Sequence, residues 1–168
     1  YTYFLNDEVP QTINKCKTVC SKNNNCNNAV IKECRQFKPQ PGYYARMTGA
    51  PYKKEYTCDN MITNVLNDNP NIRKSSFIAK CPANYYKGAM VIDPNKTYHF
   101  YRQDNNMRWS HKPGTNKVTN LDASKKPIYN PEYADRDYKK DSIIGLNYTT
   151  FCSYFCIPKN SHMDTNSR

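Results

Sequence analysis

The stretch TYHFYRQDNNMRWSHKPG, residues 97–114, decides how the rest of the chain is read. It holds two of the three histidines, the single tryptophan, and an Asp104-Asn105-Asn106 turn signal between two aromatic-dense runs. TYHFYRQ and MRWSH both alternate with the period of a strand, which predicts a β-hairpin. Asparagine tolerates the left-handed backbone that a three-residue loop at 104–106 needs. Such a loop sets His99 opposite His111, Tyr101 opposite Trp109 and Gln103 opposite Met107. Opposed residues share a face, so the two histidines become neighbours backed by a Tyr–Trp pair. Tyr98, Phe100, Arg102, Arg108 and Ser110 fall on the other face.

Upstream, TCDNMITNVLNDNP (57–70) has the strongest helical signal in the chain. Thr57 suits the N-cap, Asp59 the first turn, and Met61, Ile62, Val65 and Leu66 make one apolar stripe. Asp68-Asn69-Pro70 ends it. GAMVIDP (88–94) reads as a short strand, and SIIGLNYTTFCSYFCI (142–157) supplies one or two more. Lys112 to Asp141, with Pro113, Pro127 and Pro131, reads mostly as loop. A helix followed by antiparallel strands predicts an α+β body over 55–157, the helix packed on a small antiparallel sheet. Residues 37–54, with three prolines and two glycines, read as an irregular connection, and 158–168, with His162, as a mobile tail. The first residue is Tyr1 and no basic-then-apolar leader precedes the body, so the chain reads as a processed mature protein.

Eight cysteines are unevenly spread. Cys16, Cys20, Cys26 and Cys34 crowd one short polar segment, Cys58 and Cys81 stand apart, and Cys152 and Cys156 come late. An even count points to an oxidising, extracellular compartment and to disulfides, the first four stapling a small appendage over 1–36. Their spacing lacks the paired C-x2-C knuckles of zinc ribbons. Nor does an HExxH-like pair accompany His99, His111 and Asp93, so neither metal nor cofactor is expected. The sequons at Asn95 and Asn147 mark candidate glycosylation sites.

Aromatic residues make up 13% of the chain, fifteen of them tyrosine, which argues against disorder although hydrophobic residues reach only 38%. No apolar run is long enough for a membrane-spanning helix. The net charge of +11 favours acidic partners, but the lysines are scattered and form no nucleic-acid signature. Self-assembly or an acidic glycan or cell-wall polymer is the partner this surface suggests, with no specific nucleic acid.

The histidine pair has the form of a base and its orienter, as in a catalytic triad. Cys58 is the candidate nucleophile, because a helix N-terminus stabilises a thiolate. Cysteine opening a helix, histidine opening a strand, and a polar residue on the next strand resembles the NlpC-type branch of papain-like cysteine peptidases. The phrase YHFYRQD…WSHKPG also resembles a poorly characterised group of bacterial, protist and large-virus proteins. The resemblance implies a papain-like fold, with Cys58 as nucleophile, His99 as general base, His111 as orienter, and Tyr101, Trp109 and Lys112 lining the groove. The chain departs from it at Cys58, which stands in YTCDNM rather than in a D-C-S-G context.

Cysteine parity bears on the chemistry. A free Cys58 leaves seven other cysteines, while full pairing bridges Cys58, with Cys81 as one candidate partner, and removes the thiol. Parity favours the bridge. The reading is therefore a secreted, disulfide-stabilised, basic protein that keeps the fold as a non-catalytic structural or binding relative. The alternatives are an active thiol hydrolase acting on peptide or cell-wall amides, and a cationic defence or toxin-like protein.

Overall fold

The computed structural model describes residues 40–47, 49–114, 116–139 and 145–159. The proposed staple of Cys16, Cys20, Cys26 and Cys34, and the tail beyond 159, lie outside the described residues.

Among the described residues two helices, α1 (Tyr43–Met47) and α2 (Cys58–Asp68), precede five strands. These are β1 (Arg73–Ser75), β2 (Tyr85–Asp93), β3 (Thr97–Gln103), β4 (Trp109–His111) and β5 (Thr150–Pro158). The strands form one sheet in the order β1-β5-β2-β3-β4, and every neighbouring pair is antiparallel. The central strand is β2. Its run Ala89-Met90-Val91-Ile92 is buried throughout, as expected of a strand covered on both faces.

Alternation along β2 sorts the core into two layers. Met90 and Ile92 join Phe100, Phe155 and Ile157 beneath Met61, Ile62 and Val65 of α2. Ala89 and Val91 join Tyr101, Trp109 and Tyr154 on the opposite face, which Ile128 and Tyr148 cover. That cover comes from irregular chain rather than from a helix. Its backbone is tied down by isolated bridges such as His111↔Thr119 and Asp137↔Asn147.

α2 begins and ends where its sequence dictates. Thr57 Oγ1 accepts the Asn60 N–H, and Asn69 caps the other end. Asp68, buried at that end, accepts N–H bonds from Gly42 (2.6 Å) and Ala45 (2.9 Å) and so caps α1. Asn64 exchanges two bonds with the Lys53 backbone. Residues 40–54 are thereby held against α2. Gly42 is required there, since its φ is +91° and a Cβ would meet Tyr52 at 2.7 Å.

In β5 the alternation breaks once. Met90 pairs with Ser153 while Val91 pairs with Phe151, so Cys152 is the extra residue of a β-bulge. The bulge lets two cysteines four positions apart leave the strand on opposite faces. Cys152 bonds to Cys58 at the start of α2, and Cys156 bonds to Cys81 in the β1–β2 connection.

The architecture corrects the papain-like expectation. The described residues form mainly a five-stranded antiparallel sheet with one eleven-residue helix, richer in strand than the α+β arrangement read from sequence. A papain-like site also needs the helix N-terminus to face the histidine strand across a groove. Here α2 packs on the face carrying Tyr98 and Phe100, while His99 and Tyr101 point the other way. Alternation within β3 is enough to separate them.

The hairpin register is a second correction. Tyr101 pairs with His111 and Gln103 with Trp109, two positions from the register drawn for a three-residue loop. The loop is longer, running from Asp104 to Arg108 and closed by Asp104 N–H donating to Arg108 C=O at 2.8 Å. Met107, not an asparagine, takes the positive φ of +68°. Asn106 instead accepts the Arg108 N–H through its side chain. Because the shift is even, every side chain keeps its face.

Candidate functional site

The histidine pair occupies the β3–β4 half of the second core layer. His99 Nε2 and His111 Nδ1 are 2.7 Å apart, and His111 Nε2 is 3.0 Å from the Leu121 carbonyl. A carbonyl only accepts, so His111 carries its proton on Nε2 and offers the Nδ1 lone pair to the His99 Nε2–H. The order of donation is His99 to His111 to Leu121. Rings enclose the pair: Tyr148 stacks on His99 at 5.2 Å, while Tyr101 meets His99 and His111 at 5.4 and 5.1 Å.

Both imidazoles are held below the usual histidine range. Burial is the main cause for His99, with His111 beside it adding to the effect. For His111 burial again dominates, opposed by the Leu121 carbonyl and by Asp122. Burial likewise pushes the Tyr138 and Tyr148 phenols up to about 12. This is a neutral, desolvated cluster at neutral pH.

A consequence for stability follows from the direction of those shifts. The folded chain refuses protons that the unfolded chain accepts near pH 6.5. The stability contributed by the neutral pair is therefore complete above that pH and lost as pH falls below it toward the depressed folded values. Urea unfolding between pH 7.5 and 5 is expected to show a loss of up to about 1.4 kcal/mol per pH unit for each proton excluded. His99→Gln/His111→Gln should flatten that slope; an unchanged slope would show that the pair does not titrate with folding.

As chemistry, the pair is a base and an orienter with no thiol beside them. Cys58 lies on the α2 side of the sheet, and its sulfur is bonded to Cys152. The structure does not bring Cys58 together with His99 and His111. Nor is its partner Cys81, which bonds to Cys156. Tyr101 and Trp109 have no exposed surface, so they form core rather than the wall of an open groove. Lys112 turns its ammonium to the carbonyls of Gly114 and Asn116. Asp93 accepts the Asn147 N–H at 3.1 Å and neighbours Lys96. Among the sequon asparagines, Asn95 is exposed in the β2–β3 turn and Asn147 is partly buried.

The sequence reading missed the Leu121 carbonyl and Tyr138, which arrive from the 112–141 stretch that reads as loop, and Tyr148, which lies in the 142–157 run that reads as strand but outside β5. It also missed that the helix and the histidines would part company. The signal was present: the Tyr98/Phe100 face of β3 is the more apolar one, and an apolar helix stripe selects it.

The fold and its crosslinks define a disulfide-locked antiparallel sheet protein in which His99 and His111 are structural neighbours of tyrosines. No family model and no solved structure matches the chain. The chain is 31% identical over 125 residues to insoluble matrix shell protein 1 of Ruditapes philippinarum, covering 74% of this chain and 79% of that one. It belongs to the family of that shell matrix protein.

Proposed function

We propose that this chain is an extracellular, non-catalytic structural protein of an insoluble organic matrix. Its similarity to a protein named for an insoluble shell matrix carries the reading. The bonded sulfur of Cys58 supports it, since the sulfur required for thiol chemistry is a crosslink. Two disulfides that tie the helix and the β1–β2 connection to β5 suit an oxidising, extracellular setting. The net charge of +11 gives the surface an attraction for an acidic glycan, and self-association is the other contact this role calls for. Asn95 is exposed where a glycan would be attached.

Fractionation of the source tissue tests the reading. After demineralisation, the chain is expected in the acid-insoluble extracellular residue, released by strong denaturant together with reductant. Recovery from cell lysate alone, or a reactive thiol at Cys58 in the native protein, would overturn it.

A further inference from the structure

The β1–β2 connection, residues 76–84, is fastened far more firmly than a surface loop requires. Lys87, buried within β2, donates its ammonium to the carbonyls of Ser76 (3.0 Å), Phe77 (2.6 Å) and Ala79. Three acceptors match the three N–H bonds of a lysine ammonium. Burial lowers the pKa of Lys87, in keeping with a cation removed from water. Ser76 Oγ accepts the Ala79 N–H, and the Cys81–Cys156 bond anchors the far side of the loop to β5.

These three devices hold up an apolar tip. Ile78 is 89% exposed and Phe77 42%, although Phe77 also leans on Tyr154 with ring centroids 5.8 Å apart. Arg73 and Lys80, close to them in sequence, are exposed, and Arg73 pairs with Cys156 on the face of β5 that the loop is bonded to, whereas Lys74 pairs with Phe155 on the α2 face. The sequence contains no aspartate or glutamate between Asp68 and Asp93, and none in β5, which pairs with β1. A rigid apolar tip on a segment without acidic residues, whose neighbouring carboxylate Glu132 is engaged by Tyr154, has the composition of a binding anchor: apolar side chains for a partner's pocket, charges for selection and steering.

We infer that loop 76–80 is a docking tip for an acidic polypeptide, with Ile78 and Phe77 as the apolar anchor and Arg73 and Lys80 as the selecting charges. The charge excludes a second copy of this basic chain as the preferred occupant. The aliphatic Ile78 favours a polypeptide over a sulfated or carboxylated glycan, which offers carboxylates but no side-chain pocket. Preorganisation by Lys87 and the disulfide lowers the ordering cost of binding. The inference stands apart from the matrix role, since it concerns one loop and its partner chemistry.

Titration of the full oxidised chain decides it, with four probes: a random glutamate–tyrosine copolymer, polyglutamate, heparin, and phosphatidylserine vesicles. The copolymer is expected to bind about tenfold tighter than polyglutamate, and Ile78→Ser to remove about that tenfold. Arg73→Glu/Lys80→Glu should weaken both polymers and reduce the salt dependence. Ile78 packs against little, so Ile78→Ser should keep the wild-type urea midpoint. Lys87→Met, if folded, should weaken copolymer binding by loosening the loop; if it unfolds, Ile78→Ser decides alone. Equal copolymer affinity for wild type and Ile78→Ser would overturn the inference. So would an Ile78-dependent loss seen with heparin or with the vesicles but not with the copolymer.

Discussion

Replacing Cys58 and Cys152 together by alanine is expected to cost about 4–5 kcal/mol of unfolding free energy, the chain-entropy value for a loop of this size. The bond joins residues 94 apart in sequence. Domains of this kind are stable by only about 5–15 kcal/mol, so the variant should be close to unfolding at body or ambient temperature. The urea midpoint, compared with the oxidised wild type at pH 7.5, measures the change. A thiol hydrolase would behave the other way round, since Cys58→Ala would remove turnover and leave stability nearly intact. A double variant as stable as the wild type would mean that the bond adds nothing to the fold and would reopen a chemical role for Cys58.

Trp109→Ala is the second large expectation, a loss of about 3–5 kcal/mol. Trp109 is fully buried, packs against Tyr154 with ring centroids 5.8 Å apart, and bonds to Ile128 through its backbone N–H. Its indole Nε1 finds no hydrogen-bond partner among the described residues. The side chain therefore contributes volume rather than a polar bond. Trp109→Phe should accordingly cost much less than Trp109→Ala, because phenylalanine restores most of the ring while deleting an unsatisfied donor. If the two variants were equally damaging, the indole N–H would be engaged after all.

Part of this structure is legible in the residues themselves. The α2 stripe Met61/Ile62/Val65/Leu66, its Thr57 cap and the apolar run of β2 are local signals, and local signals survive folding. The placement of His99 and His111 on one face follows from alternation and holds in either register. What escaped is non-local. α1 exists because Asp68 reaches back to Gly42 and Ala45, and no propensity in YYARM announces that. β1, Arg-Lys-Ser, is a strand only because β5 lies beside it. The disulfide partners were hidden by the bulge, since cysteines four apart in a regular strand would share a face. Lys87 did leave a trace, as the one charge in the run YYKGAMVI.

The place of β5 in the sheet governs how the chain can be made. It is the last strand in sequence among the described residues, yet it lies between β1 and β2. During synthesis, residues 73–75 have no strand to pair with until residues 154–156 have left the ribosome. Cys58 and Cys81 emerge long before Cys152 and Cys156, so in the nascent chain each is the other's nearest oxidisable neighbour. A premature Cys58–Cys81 bond would trap the helix against the wrong loop, and its correction needs thiol–disulfide exchange. Oxidative refolding of the reduced chain is therefore expected to be faster with disulfide isomerase than without it. The sheet is sealed from its C-terminal side, late and all at once.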